Sequence, residues 1–180
     1  MFLPALSAVV AALFLIAAWT DVRTMRIPNW ISLLLILLWM VRIGAAHLDI
    51  TPLSATWHLD MAWFAGVFVA LFICWAMRLL GAGDVKIIAA GCLWFGHPCA
   101  FDFLTMTGLA GGVIALVVML VRRTDNFVLV YFPQFYVFTS KIIAFALPAF
   151  QRNQNFPYGA AIAVGALYAV YVQYEAWGVF

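Results

Sequence analysis

Long apolar runs, each close to the length of a membrane-spanning helix, follow one another along the chain. A helix needs about 20 predominantly apolar residues to cross the hydrocarbon core of a bilayer. Short polar connections separate six such runs, at residues 2–20, 30–46, 61–80, 85 to about 100, 103–121 and 156 to about 177. The pattern therefore predicts an all-α, polytopic membrane protein with six transmembrane helices.

The segment 126–150 is apolar enough to suggest a seventh span, but polar residues and prolines interrupt it. These include Pro133, Gln134, Lys141 and Pro148. A helix lying in the membrane interface, or a re-entrant segment, fits this pattern better than a spanning helix.

Composition supports the membrane assignment and excludes several other classes. The chain is 68% hydrophobic and 9% charged, whereas soluble domains are about half apolar and about a quarter charged. A net charge of only +2 argues against nucleic-acid binding. No linker or repeat divides the chain, so we expect residues 1–180 to form a single membrane domain.

The distribution of basic residues predicts the orientation of the helices. If the first helix runs from outside to inside, the inside connections contain eight of the nine basic residues: Arg23, Arg26, Arg78, Lys86, Arg122, Arg123, Lys141 and Arg152. This is the positive-inside pattern, and it places both termini on the extracytoplasmic side. Arg42, near the outer end of the second run, is expected to extend its side chain to the interface.

Two acidic residues on the predicted inner side require an explanation, because ionisable groups near membrane spans are costly. Asp21 closes the first run and Asp84 opens the fourth. Two carboxyl groups from different helices, sharing one proton, can activate a water molecule for hydrolysis. Structural roles also fit: Asp84 could cap a helix, and Asp21 could be a surface charge. The helix dipole favours an ionised Asp84 and disfavours charge on Asp21, whereas Arg23 and Arg26 would lower the pKa of Asp21, so the sequence leaves open which aspartate is the base.

The remaining polar residues offer weaker candidates. Asp60 and three other acids lie in the outer connections or the tail, where solvation would account for them. The histidines are too scattered for a metal site, and the cysteines show no metal-ligand spacing. We expect Cys74, Cys92 and Cys99 to be buried, reduced thiols.

Three motifs resemble those of the prepilin peptidases, in the same order. Residues 21–29, an Asp followed shortly by Ile-Pro-Asn, resemble the first aspartate motif of that family. Residues 81–86, Gly-Ala-Gly-Asp-Val-Lys, resemble the second, the GxGD signature, and residues 87–96 continue the likeness. Residues 157–165 are similar to the Pro-Tyr-Gly motif that opens the last helix of the family.

The resemblance implies an integral-membrane aspartyl protease of the GxGD type, with Asp21 and Asp84 as its catalytic pair. Its substrates would be prepilins or pseudopilins, cut on the cytoplasmic side between a short basic leader and a hydrophobic helix. Its location would be the cytoplasmic (inner) membrane, and pilus or secretion assembly proteins would be further partners. Other matching positions would shape the site or bind substrate: Pro28, Asn29, Gly81, Gly83, Lys86, Pro157, Tyr158 and Gly159.

One departure from the family pattern narrows the expectation. Larger members carry a cytoplasmic insert with paired C-x-x-C motifs and also methylate the new N-terminus. Here the first run leads directly into Asp21, so the chain resembles the short, peptidase-only branch that serves Tad (Flp) pili. We therefore expect no methyltransferase activity, no zinc and no other cofactor.

A second hypothesis, from another class, is a small proton- or cation-coupled transporter subunit. Intramembrane acids often serve that role. It would favour acids near the middle of the membrane and internal pseudo-symmetry, and the sequence shows neither.

Overall fold

A computed structural model of the chain describes residues 2–48, 57–131 and 158–176, and every regular element in these ranges is an α-helix. The first three helices are α1 (Phe2–Thr24), α2 (Asn29–His47) and α3 (Trp57–Ala76). The helical stretch Ala82–Tyr131 is broken at Gly96 into α4 (82–95) and α5 (97–131), and α6 is Tyr158–Ala176. The all-α prediction is confirmed for these ranges.

Four stretches are long and apolar enough to cross a membrane: Leu3–Thr24, Asn29–His47, Trp57–Ala76 and Cys99–Val117. They support a multi-pass membrane protein. Helix α4 is shorter than a full span, and α6 carries polar Gln173 and Glu175 near its end. Exactly six spans, and the sides on which the termini lie, stay predictions.

Several helix boundaries differ from those expected. Helix α1 continues beyond the predicted end at Thr20, and α3 begins and ends four residues earlier than its apolar run. Helix α5 extends through residues 126–131, the beginning of the segment assigned to the interface. The rest of that segment, residues 132–150, lies outside the described residues.

The α4–α5 stretch occupies the centre of the described helices, packed against α2, α3 and α6, and α6 also packs against α1. Small residues permit this close packing: Ala161, Ala166 and Ala169 are buried on α6, and Gly165 faces Thr107 of α5. Small residues are typical of helix contacts in membranes, where apolar side chains gain little by leaving lipid for protein.

The helix break at Gly96 leaves carbonyl groups without their usual helical partners. Gly96 has φ 68° and ψ 174°, in the region that favours glycine. Arg42 of α2 donates a hydrogen bond to the Trp94 carbonyl, and Gln173 Nε2 of α6 lies 3.5 Å from the Phe95 carbonyl oxygen. Irregular backbone at membrane depth is tolerated where protein groups supply such partners.

Two expectations about charged residues near this break are wrong. Arg42 does not extend to the interface but is 6% exposed, and Asp60 is not solvated but is 3% exposed. Because α3 begins at Trp57, Asp60 lies in its first turn, where the His97 backbone N–H donates to Oδ1 over 3.0 Å. The opposite charges of Asp60 and Arg42 act on each other, which compensates for their burial.

Candidate active site

Asp21 lies in the last turns of α1, and its carboxylate is held at the beginning of α6. The residue is 6% exposed, and Oδ2 accepts a hydrogen bond of 2.8 Å from the Gly159 backbone N–H. The first N–H groups of a helix have no partner within that helix and carry partial positive charge. The N-terminus of α6 therefore stabilises an ionised Asp21.

Gly159 must be small for this contact to exist. A Cβ atom at Gly159 would lie 2.7 Å from Asp21 Cβ and 2.9 Å from Oδ2. These distances are shorter than ordinary contacts, so any larger residue would displace either the carboxylate or the start of α6.

Asp84 lies in the first turn of α4 and is half-buried. Its carboxylate folds back over the start of the helix, where a Cβ at Gly81 would lie 2.9 Å from Oδ2. A backbone hydrogen bond from Gly81 also reaches this carboxylate. The capping role considered from sequence is therefore present, and it coexists with a position near Asp21.

The electrostatics link the two carboxyl groups. The pKa of Asp84 is raised from 3.8 to about 6, mainly by burial and also by the charge of Asp21, while the hydrogen bond from Gly81 opposes both effects. Like charges that share a site hold one proton between them. Below the Asp84 pKa of about 6, Asp84 holds a proton. The helix dipole favours an ionised Asp84, and burial together with the charge of Asp21 opposes that tendency.

The first two motifs contact each other beside this pair. Gly83 packs against Ile27, with a hypothetical Cβ 3.3 Å from Ile27 Cβ. Lys86 Nζ donates to Asn29 Oδ1 over 3.1 Å. Pro28, between these contacts, is extended at φ −64° and ψ 134° and precedes the first residue of α2.

The glycines of the GxGD segment matter for their lack of a side chain and not for an unusual backbone conformation. Neither Gly81 nor Gly83 has a positive φ. What each provides is a missing side chain: Gly81 admits the Asp84 carboxylate, and Gly83 admits Ile27. The need for Gly83 could not be read from the sequence, since nothing in residues 21–29 singles out Ile27 as its neighbour.

The third motif reaches the pair through the Gly159 backbone N–H. The Tyr158 ring lies near Gly111 of α5, with a hypothetical Cβ 3.9 Å from the ring. Pro157 lies outside the described residues. Within the described ranges, no basic side chain forms an ion pair with Asp21 or Asp84, so their charges have no cationic partner there.

Comparison with known proteins adds the family. No curated protein and no solved structure matches the chain. The family model of the type IV leader peptidases matches residues 8–116, about three-fifths of the chain, including both aspartates and all of the first two motifs. The chain therefore belongs to the type IV leader peptidase family.

Proposed function

We propose that this protein is a membrane aspartyl endopeptidase that removes the short basic leader from prepilins or pseudopilins, using Asp21 and Asp84 to activate water. Family membership supports the peptidase class. One observation carries the mechanism: the charge of Asp21 acts on a half-buried Asp84, with no basic partner for either in the described ranges. This arrangement favours a shared proton, as acid–base hydrolysis requires.

In the proposed reaction, ionised Asp21 accepts a proton from a water molecule while protonated Asp84 gives its proton to the scissile carbonyl oxygen. The water oxygen bonds to the carbonyl carbon, giving a tetrahedral diol. Asp21 then gives its proton to the amide nitrogen, the C–N bond breaks as one diol hydroxyl returns its proton to Asp84, and the products are a new carboxyl group and a new amine. Gly159 holds Asp21 in position through its N–H.

The location of the pair suits a substrate that is part soluble and part apolar. Asp21 lies near the end of a candidate span, Leu3–Thr24, and not near its middle. A basic leader in water and an apolar helix in lipid would place the bond between them at this depth. The positive-inside pattern supports a site that faces the cytoplasm, in the cytoplasmic membrane.

The direct test is cleavage of a candidate prepilin by the purified full chain in lipid nanodiscs, followed by mass spectrometry. We expect a single cut after the basic leader, with loss of cleavage in Asp21→Asn and Asp84→Asn. Asp102→Asn is the matched control, since it removes the same charge elsewhere. Cleavage at wild-type rate by either site variant would refute the mechanism.

The same assay tests the assignment to the peptidase-only branch. We expect the new N-terminus to stay unmethylated when S-adenosylmethionine is added. A mass increase of one methyl group that depends on this protein would contradict the assignment. Proton or cation flux through the same purified protein reconstituted into lipid vesicles, together with an absence of cleavage, would favour the transporter hypothesis.

A further inference from the structure

A groove opens between α2, α3 and α4, on the face of α4 opposite Asp84. Its volume is about 310 Å³, and α4 contributes Lys86 and Ala89 to its wall. At about 100° per residue, these two positions point away from Asp84 by roughly 200° and 140°. The groove is therefore distinct from the cleft in which Asp21 and Asp84 interact.

The groove has one polar end and one apolar end. Lys86 and Asn29 stand together at the start of α4 and α2, joined by their hydrogen bond, while Ile36, Phe64 and Phe68 form its apolar part. From Asn29 to Ile36, α2 rises about 10 Å, which is most of the depth of one leaflet at about 15 Å. The polarity therefore changes in the same direction as a lipid's, from headgroup to chain.

We propose that this groove binds one anionic phospholipid, with its phosphate at Lys86 Nζ and an acyl chain along Ile36, Phe64 and Phe68. The positive charge of the groove is complementary to an anionic headgroup, because Lys86 is exposed and none of the residues lining the groove is acidic. An ammonium group carries three donors. Asn29 accepts from one, which leaves others for phosphate oxygens.

The size of the groove favours a lipid chain over the apolar helix of a substrate. A helix about 10 Å across that rises 1.5 Å per residue occupies roughly 120 Å³ per residue. A volume of about 310 Å³ therefore encloses only two or three helical residues, and most of a docked helix would lie outside the groove. A flexible acyl chain is thin enough to lie within the groove itself.

Native mass spectrometry of the delipidated full chain in detergent tests the proposal, with phosphatidylglycerol and phosphatidylcholine as probes. We expect one phosphatidylglycerol to bind in preference to phosphatidylcholine. Lys86→Gln is expected to weaken binding roughly five-fold, as expected for one cation at an anionic surface. Leu33→Trp, which fills the groove from the exposed side of α2, is expected to reduce binding of both lipids.

Matched controls separate this site from general effects. Arg23→Ala removes an equal charge from a residue that lies over Trp19 at 4.2 Å, and Leu37→Trp adds an equal bulk to the exposed surface of α2. Both are expected to bind lipid like the wild type. Equal binding of the two lipids, or unchanged affinity in Lys86→Gln, would overturn the proposal.

Two competitors identify the source of the bound group. Glycerol 3-phosphate, which has the phosphate without the chains, is expected not to displace the lipid at millimolar concentration. Displacement would mean a simple anion site and would overturn the lipid assignment. A prepilin peptide that displaced the lipid one for one would assign the groove to substrate instead.

Discussion

A partly or fully buried carboxylate lies at each end of α4. The charges that surround these two carboxylates are of opposite sign. Beyond its C-terminal end, at the Gly96 break, Asp60 accepts the His97 N–H and faces the opposite charge of Arg42. At the N-terminal end, Asp84 faces the like charge of Asp21, and the described hydrogen bonds to the pair come from backbone groups at Gly81 and Gly159.

Asp60 therefore has the surroundings of a structural charge, whereas Asp21 and Asp84 do not. A buried charge with an opposite partner and a hydrogen-bond donor holds helices together at little net cost. Two carboxyl groups close together, with no cationic partner in the described ranges, raise the affinity of the pair for a shared proton, which is an arrangement typical of catalytic sites. Depth of burial alone would not distinguish them, since Asp21 is 6% exposed and Asp60 is 3% exposed.

Removing the charges at the N-terminal end should affect chemistry and leave the fold intact. Asp21→Asn and Asp84→Asn are each expected to lower kcat for prepilin cleavage about 10³-fold, within the range that positioned acids and bases contribute. Thermal unfolding in detergent should show stability equal to the wild type or higher, because each variant relieves a like-charge contact. Loss of activity accompanied by unfolding would mean that the pair is structural.

Removing a charge at the Gly96 break should instead destabilise the fold. Arg42→Met leaves Asp60 with His97 as its described neighbour, and Asp60→Leu removes the acidic partner of Arg42; breaking a buried pair in this way costs about 3–5 kcal/mol. The double variant is expected to recover much of that loss, measured as the free energy of unfolding in mixed micelles. If both single variants kept wild-type stability, the buried pair would have no structural role and the comparison would fail.

Much of the candidate site could be predicted from the sequence, because its chemistry lies in short segments. Residues 21–29 and 81–86 each place an acid next to a helix end, a local feature that the sequence shows directly. That these segments meet depends on Ile27 against Gly83 and on Asn29 with Lys86. No periodicity predicts such contacts between helices; only the family resemblance implied them.

The helix break at Gly96 was not predicted, because its signal is spread over residues that are distant in the sequence. Gly96 stood inside an apolar run, and hydropathy counts a glycine there as neutral. Arg42 and Asp60 were read one at a time, as residues solvated near the outer surface. A signal was present, since each charge lay within or beside an apolar run, but pairing them required knowing that α2 and α3 both pack on α4.

Gly159→Ala tests whether backbone donors alone hold the uncompensated pair. The added Cβ would lie 2.7 Å from Asp21 Cβ, so Asp21 must move away from the N–H that holds it. Displacements of about 1 Å in a catalytic group cost roughly 10²-fold in rate, and we expect a loss of that order in kcat. Gly112→Ala on α5, where a Cβ meets nothing within 4 Å, should retain activity; equal losses in both would refute the specific contact.

The shared proton should be visible in pH dependence. If the active form has Asp84 protonated, kcat/KM falls as pH rises through its pKa of about 6. Infrared titration of the carboxyl groups should show this pKa fall in Asp21→Asn, because the like charge is removed. An unchanged pKa in Asp21→Asn would mean that the two carboxyl groups do not interact.

The same pKa has a consequence for stability. Because Asp84 titrates near pH 6 when folded and near 3.8 when unfolded, the folded state binds more protons between these values, and stability falls as pH rises through this window. The penalty is complete above pH 6 and absent well below 3.8. Asp84→Asn should therefore gain stability over the wild type at pH 7 and lose that gain near pH 3, measured by unfolding at both pH values.

The smallest effect is expected at Lys86, which stands at the same end of α4 but on the opposite face. Its cation is exposed and already bonded to Asn29, so water screens its charge and it compensates neither carboxylate directly. Lys86→Ala is expected to lower kcat/KM only about five-fold, mainly by loosening α4 from α2, a loss of about 1 kcal/mol. Asn29→Ala should cause a similar loss, and the double variant should be no worse than either single one, because one hydrogen bond is lost in all three. Additive losses would mean that Lys86 acts on the aspartate pair through its charge, and the N-terminal end of α4 would then be compensated like the other.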